Sequence, residues 1–164
     1  MTQVEAIIID VDGTLTDGKL HLSGNGELFK SFDVKDGYAI KHILPAHGIV
    51  PVVMTGRESA IVSLRCQELG VEHVFQGSVD KIVTMESIAN ILHISENDGK
   101  YNIAYIGDDL IDLPCMKKSK LVGCPADAAN EVKQVSDFIS CRCGGDGAVR
   151  EFIEWIIHRS LSNR

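Results

Sequence analysis

The stretch AIIIDVDGTLTDG at residues 6–18 joins a run of β-branched apolar side chains to a group of acidic residues. Ile7, Ile8 and Ile9 predict a buried strand. Because side chains alternate along an extended chain, Asp10 and Asp12 are expected on the same side of it. Two ionised carboxylates ~4 Å apart repel by about 4 kcal/mol at an effective dielectric constant near 20. The sequence therefore predicts a cation beside the end of this strand.

Strand-like and helical patterns alternate along the rest of the chain. Strands are predicted over 5–9, 49–54, 73–75, 102–106, 121–123 and 138–139, and helices over 37–46, 59–69, 79–92, 109–117, 130–135 and 147–160. This rhythm predicts an α/β fold, a Rossmann-like parallel sheet sandwiched by helices, in a single domain over residues 1–164. In such folds the catalytic groups gather beyond the carboxyl ends of the strands.

One segment interrupts this alternation. Residues 19–32, KLHLSGNGELFKSF, alternate apolar and polar side chains around a glycine-rich turn, which predicts a β-hairpin inserted after the first strand. A two-stranded hairpin is marginal in water by itself, so its apolar side chains must pack on something. Packing on the domain's own core and packing on another subunit are equally compatible with the composition.

The bulk properties exclude several classes of protein. The net charge is −7 and no block of basic residues occurs, so nucleic acid is not an expected partner. The apolar runs are too short to span a bilayer, and the start of the sequence lacks the basic region of a signal peptide. Five cysteines, an odd number, argue against a disulfide framework. A cytoplasmic protein without membrane association is expected.

Chemically distinctive residues follow several predicted strands or begin the next helix. The motifs VVMTGRES, SVDK and YIGDDLID supply a hydroxyl, two cations and three carboxylates, together with a glycine: Thr55, Gly56, Arg57, Lys81, Asp108, Asp109 and Asp112. Each motif alone is a weak signal. Together, at one edge of one sheet, they predict a shared active site.

Phosphate-monoester hydrolysis requires this set of residue types. The reaction is extremely slow without a catalyst, so it needs a nucleophile, a proton donor and compensation of phosphoryl charge. An aspartate carboxylate can attack phosphorus, and a second carboxylic acid can protonate the leaving group. Magnesium prefers hard oxygen ligands, and Thr, Lys and backbone N–H groups can hold phosphoryl oxygens.

DVDGTLTDG, a downstream Thr and Lys, and GDDLID together resemble the phosphatase branch of the haloacid dehalogenase-like superfamily. The resemblance covers nearly the whole chain. It implies that Asp10 is the nucleophile and Asp12 the general acid/base. It also implies that Thr55, Gly56 and Lys81 bind the phosphoryl group.

The same resemblance implies a magnesium site. Asp10, the backbone carbonyl of Asp12, and Asp108 would hold the ion. Asp109 would support the water shell of the metal, and Asp112 the loop behind it. A receiver-type phospho-acceptor domain also combines Asp, Thr, Lys and magnesium on a parallel sheet, and it is the alternative from a different class. The position of Asp12, two residues after the nucleophile, favours turnover over storage of the phosphoryl group.

A closer likeness concerns the segments FDVKDGYAI, GVEHVFQG, YIGDDLIDLPCM and GGDGAVRE, which resemble the 3-deoxy-octulosonate (KDO) 8-phosphate phosphatases. The segments between Asp12 and Thr55 and between Thr55 and Lys81 are too short for a cap domain. The resemblance therefore implies a capless homotetramer in which hairpins assemble a barrel and neighbouring chains share active sites. The implied substrate is a sugar-acid phosphate.

Two departures from the octulosonate pattern bear on the substrate. Glu58 follows TGR, and Asp146 stands where that pattern has an arginine, so both lower the positive charge near the pocket. This favours a 2-keto-3-deoxynononate (KDN) 9-phosphate, with KDO 8-phosphate as the alternative. Arg57, Glu58 and Arg65 are the predicted sugar-binding residues, the arginines for the sugar carboxylate. Glu58 is equally compatible with a structural role in the first turn of a helix.

Overall fold

A mostly parallel sheet forms the centre of the molecule. The computed structural model describes residues 4–162, and its strands are β1 (Ala6–Ile9), β2 (His21–Ser23), β3 (Gly26–Phe29), β4 (Val50–Met54), β5 (His73–Phe75), β6 (Glu96–Asn97), β7 (Lys100–Ile106), β8 (Ser119–Cys124) and β9 (Phe138–Ile139). The sheet order is β5-β4-β1-β7-β8-β9, and these pairs are all parallel. Strand β6 pairs antiparallel with β7. Strand β1 therefore lies in the middle, with β4 and β7 beside it.

Helices follow the strands as the sequence predicts. They are α1 (Val34–Tyr38), α2 (Leu44–Ala46), α3 (Ala60–Leu69), α4 (Lys81–Ile91), α5 (Leu113–Lys118), α6 (Asn130–Val135) and α7 (Ala148–Ser162). A π-helical turn, Ala39–Ile43, joins α1 to α2. The helix predicted over 109–117 is divided into a 3₁₀ turn, Leu110–Asp112, and α5. None of the helices in the described part of the chain is long and apolar enough to cross a membrane.

The hydrophobic core lies on both faces of the sheet. Because strand side chains alternate, Ile7 and Ile9 pack in one layer with Phe152 of α7, whereas Ile8 packs in the other with Met85 of α4. Full burial of one such side chain is worth about 1.5–3 kcal/mol. These two layers confirm the predicted parallel sheet between helices.

The hairpin is also present, as the separate two-stranded antiparallel sheet of β2 and β3. Phe32, which follows it, packs against the domain's own core. Leu20, Leu22, Leu28 and Phe29 are each about half exposed. Within residues 4–162 no cap domain interrupts the fold, because this hairpin and the helical segment after it fill the connection from β1 to β4.

Candidate active site

The turn after β1 places the first two aspartates at the carboxyl edge of the sheet. Asp10 is buried, and its backbone N–H donates to the carbonyl of Ile106 in β7 (3.0 Å). Asp12 is half-buried in the tight turn Val11–Leu15. Gly13 has φ = +92°, and a Cβ added there would lie 2.1 Å from Oδ2 of Asp108. Glycine at this position therefore allows the turn to approach Asp108, which follows the neighbouring strand β7.

Lys81 lies in the first turn of α4, after the N-cap residue Asp80. Its side chain is only 2% exposed, and its ammonium group donates to Oδ1 of Asp10 (2.7 Å) and Oδ1 of Asp112 (2.6 Å). A buried ammonium is tolerated only when it is paired and hydrogen-bonded. The two carboxylates raise the pKa of Lys81 although burial by itself lowers it.

The loop after β7 supplies the remaining acidic residues. Oδ2 of Asp112 accepts the backbone N–H groups of Asp108 and Asp109 (3.2 Å each), and its Oδ1 accepts the hydroxyl of Tyr105 (2.7 Å). Asp109 is exposed and caps the 3₁₀ turn by accepting from Leu110 N–H (2.8 Å). The buried Asp112 and the exposed Asp109 therefore both hold the loop after β7 by accepting hydrogen bonds from its backbone.

Three carboxylates meet at this edge of the sheet. Oxygens of Asp10, Asp108 and Asp112 all lie within 4.8 Å of one another. Burial, followed by repulsion from Asp112, raises the pKa of Asp10 well above its usual range despite Lys81. The same two causes, in the same order, raise the pKa of Asp108 to about 6. The negative charge of the three carboxylates thus exceeds what Lys81 offsets.

A magnesium ion fits this donor set. Asp112 is already occupied by two backbone donors, a tyrosine hydroxyl and Lys81, so Asp10 and Asp108 are the carboxylates left to hold an ion. Thr14 donates to Oδ1 of Asp108 (3.2 Å), which orients that group. Hard oxygen ligands, one or two of them carboxylates, are what magnesium takes in proteins.

Thr55 and Gly56 follow β4, which is the neighbour of β1. Thr55 is buried; its N–H donates to the carbonyl of Phe75 (2.9 Å), and its own carbonyl accepts from Ser78 N–H (3.0 Å). Parallel pairing of Ile9 with Val53 brings this strand end beside Asp10. The predicted binding of phosphate by Thr55, Gly56 and Lys81 is compatible with this placement and stays a prediction.

The three predicted sugar-binding residues are placed differently from one another. Arg57 is 47% exposed, with Nε 3.9 Å from Oδ2 of Asp12, so it lies at the rim of the site. Glu58 lies against Gly77, whose added Cβ would meet Oε1 at 3.0 Å. Arg65 stands over the ring of Phe32 (5.7 Å) and pairs with Glu68 (3.3 Å).

The contacts of Arg65 are those of a structural residue. They connect α3 to Phe32 before α1 and to α1 itself, where a Cβ added at Gly37 would lie 2.3 Å from Nη2 of Arg65. The described contacts do not bring Arg65 to the acidic residues. Packing accounts for its placement, and its role as a ligand of the sugar carboxylate stays a prediction.

Sequence reasoning missed three polar residues that touch the site: Lys30, Thr14 and Tyr105. Lys30, just after β3, is 2% exposed in its side chain and donates to Oδ1 of Asp12 (2.5 Å) and Oε1 of Glu27 (3.1 Å). The available signal was a charged residue among the apolar side chains at the end of the hairpin. That signal is weak, because most such lysines point to solvent.

Relatives of this chain are named phosphatases. The 3-deoxy-D-manno-octulosonate 8-phosphate phosphatase of Salmonella typhi is 39% identical over 160 residues, which cover 96% of this chain and 82% of that protein. The protein of the same name from Escherichia coli K12 is 38% identical over 154 residues, covering 94% of this chain and 79% of its own length. A scan against protein-family models found no match.

Solved structures give the same result. The 3-deoxy-D-manno-octulosonate 8-phosphate phosphatase of Moraxella catarrhalis, in complex with magnesium, phosphate and KDO, matches with a TM-score of 0.87 at 35% identity, covering 94% of this chain and 86% of that one. The cobalt-bound phosphatase of Haemophilus influenzae matches with a TM-score of 0.88 at 36% identity, covering 95% and 88% of the two chains.

These findings decide between an enzyme and a phospho-acceptor domain. The chain is a magnesium-dependent phosphoric monoester hydrolase. This favours the enzyme over the predicted receiver-type phospho-acceptor domain. The relatives named above are octulosonate phosphatases, so the predicted likeness to the nonulosonate phosphatases is not shown. The chain belongs to the 3-deoxy-D-manno-octulosonate 8-phosphate phosphatase family of the haloacid dehalogenase-like superfamily.

Proposed function

We propose that this enzyme hydrolyses 3-deoxy-D-manno-octulosonate 8-phosphate through an aspartyl-phosphate at Asp10. The observation that carries the proposal is the buried contact of Asp10 with Lys81 (2.7 Å), in a chain 39% identical to a phosphatase named for that substrate. Magnesium held by Asp10 and Asp108 would offset the charge of the phosphoryl oxygens. Lys81 would add a second positive charge at the same place.

The reaction has two steps. A carboxylate oxygen of Asp10 attacks phosphorus, the bond from phosphorus to the sugar oxygen breaks, and Asp12 gives its proton to that oxygen. Water then attacks phosphorus while its proton passes to Asp12, and the bond to Asp10 breaks to release phosphate. Asp12 is half-buried and Asp10 buried, so the acid/base is open to water while the nucleophile is enclosed.

The eight-carbon sugar acid is the better-supported substrate. The sequence favoured KDN 9-phosphate because Glu58 and Asp146 replace positive charge. Glu58 packs against Gly77, and Asp146 lies 3.9 Å from Arg142, so both residues have contacts within their own chain. Neither departure therefore requires a longer sugar.

A comparison of specificity constants tests the substrate. We expect kcat/KM for the eight-carbon 8-phosphate to exceed that for the nine-carbon 9-phosphate by more than tenfold, which is about 1.4 kcal/mol of transition-state discrimination. The Asp10→Asn variant, assayed in parallel, should release no phosphate above background from either compound. A higher constant for the nine-carbon compound would restore the nonulosonate assignment.

We also propose a homotetramer in which the hairpins of neighbouring subunits pack together. Leu20, Leu22, Leu28 and Phe29 support this, because they remain about half exposed on a sheet of two strands. A hairpin of this size needs further packing to be stable. A second copy of the same chain offers a matching apolar surface.

The cytoplasmic location stays a proposal as well. The five cysteines, three buried and two exposed, are all free thiols. Exposed free thiols such as Cys141 and Cys143 are typical of a reducing compartment. Fractionation of the native cells, with the phosphatase activity followed in each fraction, tests the location.

A further inference from the structure

The hairpin does more than present an apolar surface. We propose that Lys30 is a positioning residue that holds the carboxyl group of Asp12 in the orientation needed to protonate the leaving group. The inference rests on the proposed role of Asp12 as acid/base. It assigns a specific part in the reaction to a residue outside the catalytic motifs.

The contact between Lys30 and Asp12 is close and partly buried. The ammonium of Lys30 lies 2.5 Å from Oδ1 of Asp12, and the lysine side chain is 2% exposed. Oδ2 of Asp12 has Arg57 Nε at 3.9 Å, which is beyond hydrogen-bond distance. Lys30 therefore occupies one oxygen of Asp12 and leaves the other to carry the proton for the sugar oxygen.

A second set of contacts fixes Lys30 itself. Glu27 accepts from Lys30 through Oε1 (3.1 Å), and its Oε2 accepts from the hydroxyl of Ser59. Ser59 is buried and caps α3 by accepting from Val62 N–H (3.3 Å). The chain of contacts from Asp12 through Lys30 and Glu27 to Ser59 thus ties the hairpin to the body of the domain.

Lys30 is poorly suited to bind the substrate directly. Its ammonium is enclosed between two carboxylates, and the hydrogen bonds that it donates to Asp12 and Glu27 raise the pKa of Lys30 although burial opposes them. Arg57 is the half-exposed cation at the same rim and is free to turn toward an anionic substrate. The geometry thus assigns different roles to the two cations. Lys30 orients Asp12, and the half-exposed Arg57 faces the anionic substrate.

Leaving groups of graded basicity separate this role from a merely structural one. The probes are aryl phosphates from 4-nitrophenyl to phenyl phosphate, together with an alkyl phosphate, and kcat/KM reports the steps up to departure of the leaving group. A good leaving group needs little protonation, whereas a poor one depends on the acid. General acid catalysis is worth roughly 10²–10⁴-fold.

We expect Lys30→Met to lower kcat/KM by less than about threefold for 4-nitrophenyl phosphate and by more than about tenfold for the alkyl phosphate, a part of the general-acid contribution. Lys19→Met is the matched control, because Lys19 lies beside the same hairpin with its side chain 74% exposed. It should change neither constant by more than about twofold. In an Asp12→Asn background, Lys30→Met should add no further dependence on the leaving group.

Two results would overturn the proposal: an equal loss across the whole series, or no loss at all. Sedimentation and thermal unfolding of each variant show whether it is folded and assembled like the wild type. If Lys30→Met does not fold, Lys30→Gln and Glu27→Gln are tested against the same series with the same criteria. If the wild type fails on the octulosonate 8-phosphate while the aryl series behaves as expected, the proposed substrate is wrong and the role of Lys30 stands.

Discussion

The ammonium of Lys81 lies 2.7 Å from Oδ1 of Asp10, with both side chains removed from solvent. Lys81 comes from α4 and Asp10 from the end of β1, so one ion pair joins a helix start to the central strand. Burial and repulsion from Asp112 raise the pKa of Asp10, and Lys81 opposes this shift in favour of the ionised carboxylate. An ionised carboxylate is the form that can attack phosphorus.

Removal of the Lys81 charge should therefore slow catalysis strongly and also weaken the fold. We expect Lys81→Met to lower kcat by about 10²–10³-fold, the loss typical of one buried electrostatic donor. Asp10 and Asp112 would be left buried without their partner, which costs roughly 3–5 kcal/mol. Steady-state kinetics and urea denaturation measure the two effects. Lys117→Met is the control, because Lys117 is exposed. A Lys81→Met enzyme that keeps more than a tenth of the wild-type kcat would contradict the catalytic role of Lys81.

The hydroxyl of Tyr105 should matter for the loop that carries Asp108. It is fully buried and donates to Oδ1 of Asp112 (2.7 Å). In Tyr105→Phe, Asp112 loses one of its donors, and we expect the free energy of unfolding to fall by about 1–3 kcal/mol. Tyr101→Phe on the same strand is the control, because that ring is only half-buried. Equal stability of the two variants in urea would mean that the hydrogen bond to Asp112 contributes nothing.

Features that depend on residues close together in the chain could be predicted from the sequence. The continuous run of Ile7, Ile8 and Ile9 identified a buried strand, and the residues directly after each strand identified the edge where the site lies. What the sequence did not reveal depends on long-range packing. Lys30 meets Asp12 because the hairpin folds back over the turn, whereas Arg65 turns toward Phe32 and Glu68. No periodicity encodes either direction.

Magnesium should stabilise the enzyme through Asp10 and Asp108. At a concentration 100 times its dissociation constant, the ion would add about 2.7 kcal/mol to the free energy of unfolding. We expect Asp108→Asn to remove most of this magnesium-dependent rise in Tm, while Asp109→Asn, at an exposed position beside it, retains the rise. Calorimetry with and without magnesium makes the comparison. The same shift in both variants would place the ion elsewhere.

Calcium should bind without supporting turnover. It accepts more ligands and looser geometry than magnesium, so Asp10 would be displaced from the line of attack on phosphorus. We expect calcium to suppress the magnesium-dependent rate in a competitive titration. Equal rates with either ion would show that the position of Asp10 does not depend on the size of the ion.

Asp36 should make the fold sensitive to mild changes of pH. Burial raises its pKa to about 6, although Oδ1 accepts from Arg150 N–H (2.8 Å) at the start of α7. The folded protein therefore binds this proton more tightly than the unfolded chain, whose aspartate has a pKa near 3.9. The free energy of unfolding should accordingly fall by up to about 3 kcal/mol as the pH rises from about 4 to about 6. Above about pH 6 this contribution should change little.

Replacement of Asp36 tests this pH dependence. Asp36→Asn keeps a side-chain oxygen but cannot ionise, so the difference in unfolding free energy between pH 4.5 and pH 6.5 should shrink relative to the wild type. Saturating magnesium in both samples limits the separate contributions of Asp10 and Asp108, whose pKa values are also raised. Asp33→Asn is the control, because hydrogen bonds from Lys35 lower the pKa of Asp33 despite the opposing effect of burial. An unchanged slope in Asp36→Asn would contradict the raised pKa.

Disruption of the hairpin surface should remove assembly and activity together. Leu22 and Leu28 are each more than half exposed, and a glutamate at either position would place a charge in the proposed contact between subunits. We expect Leu22→Glu and Leu28→Glu to sediment as smaller species and to lose most of their turnover, because the pocket is completed by neighbouring chains in the proposed tetramer. Leu64→Glu on α3, at similar exposure, should stay assembled and active. A folded, fully active monomer of Leu28→Glu would show that each chain holds a complete site. The contact of the hairpin with Asp12 of the same chain would then be sufficient for turnover.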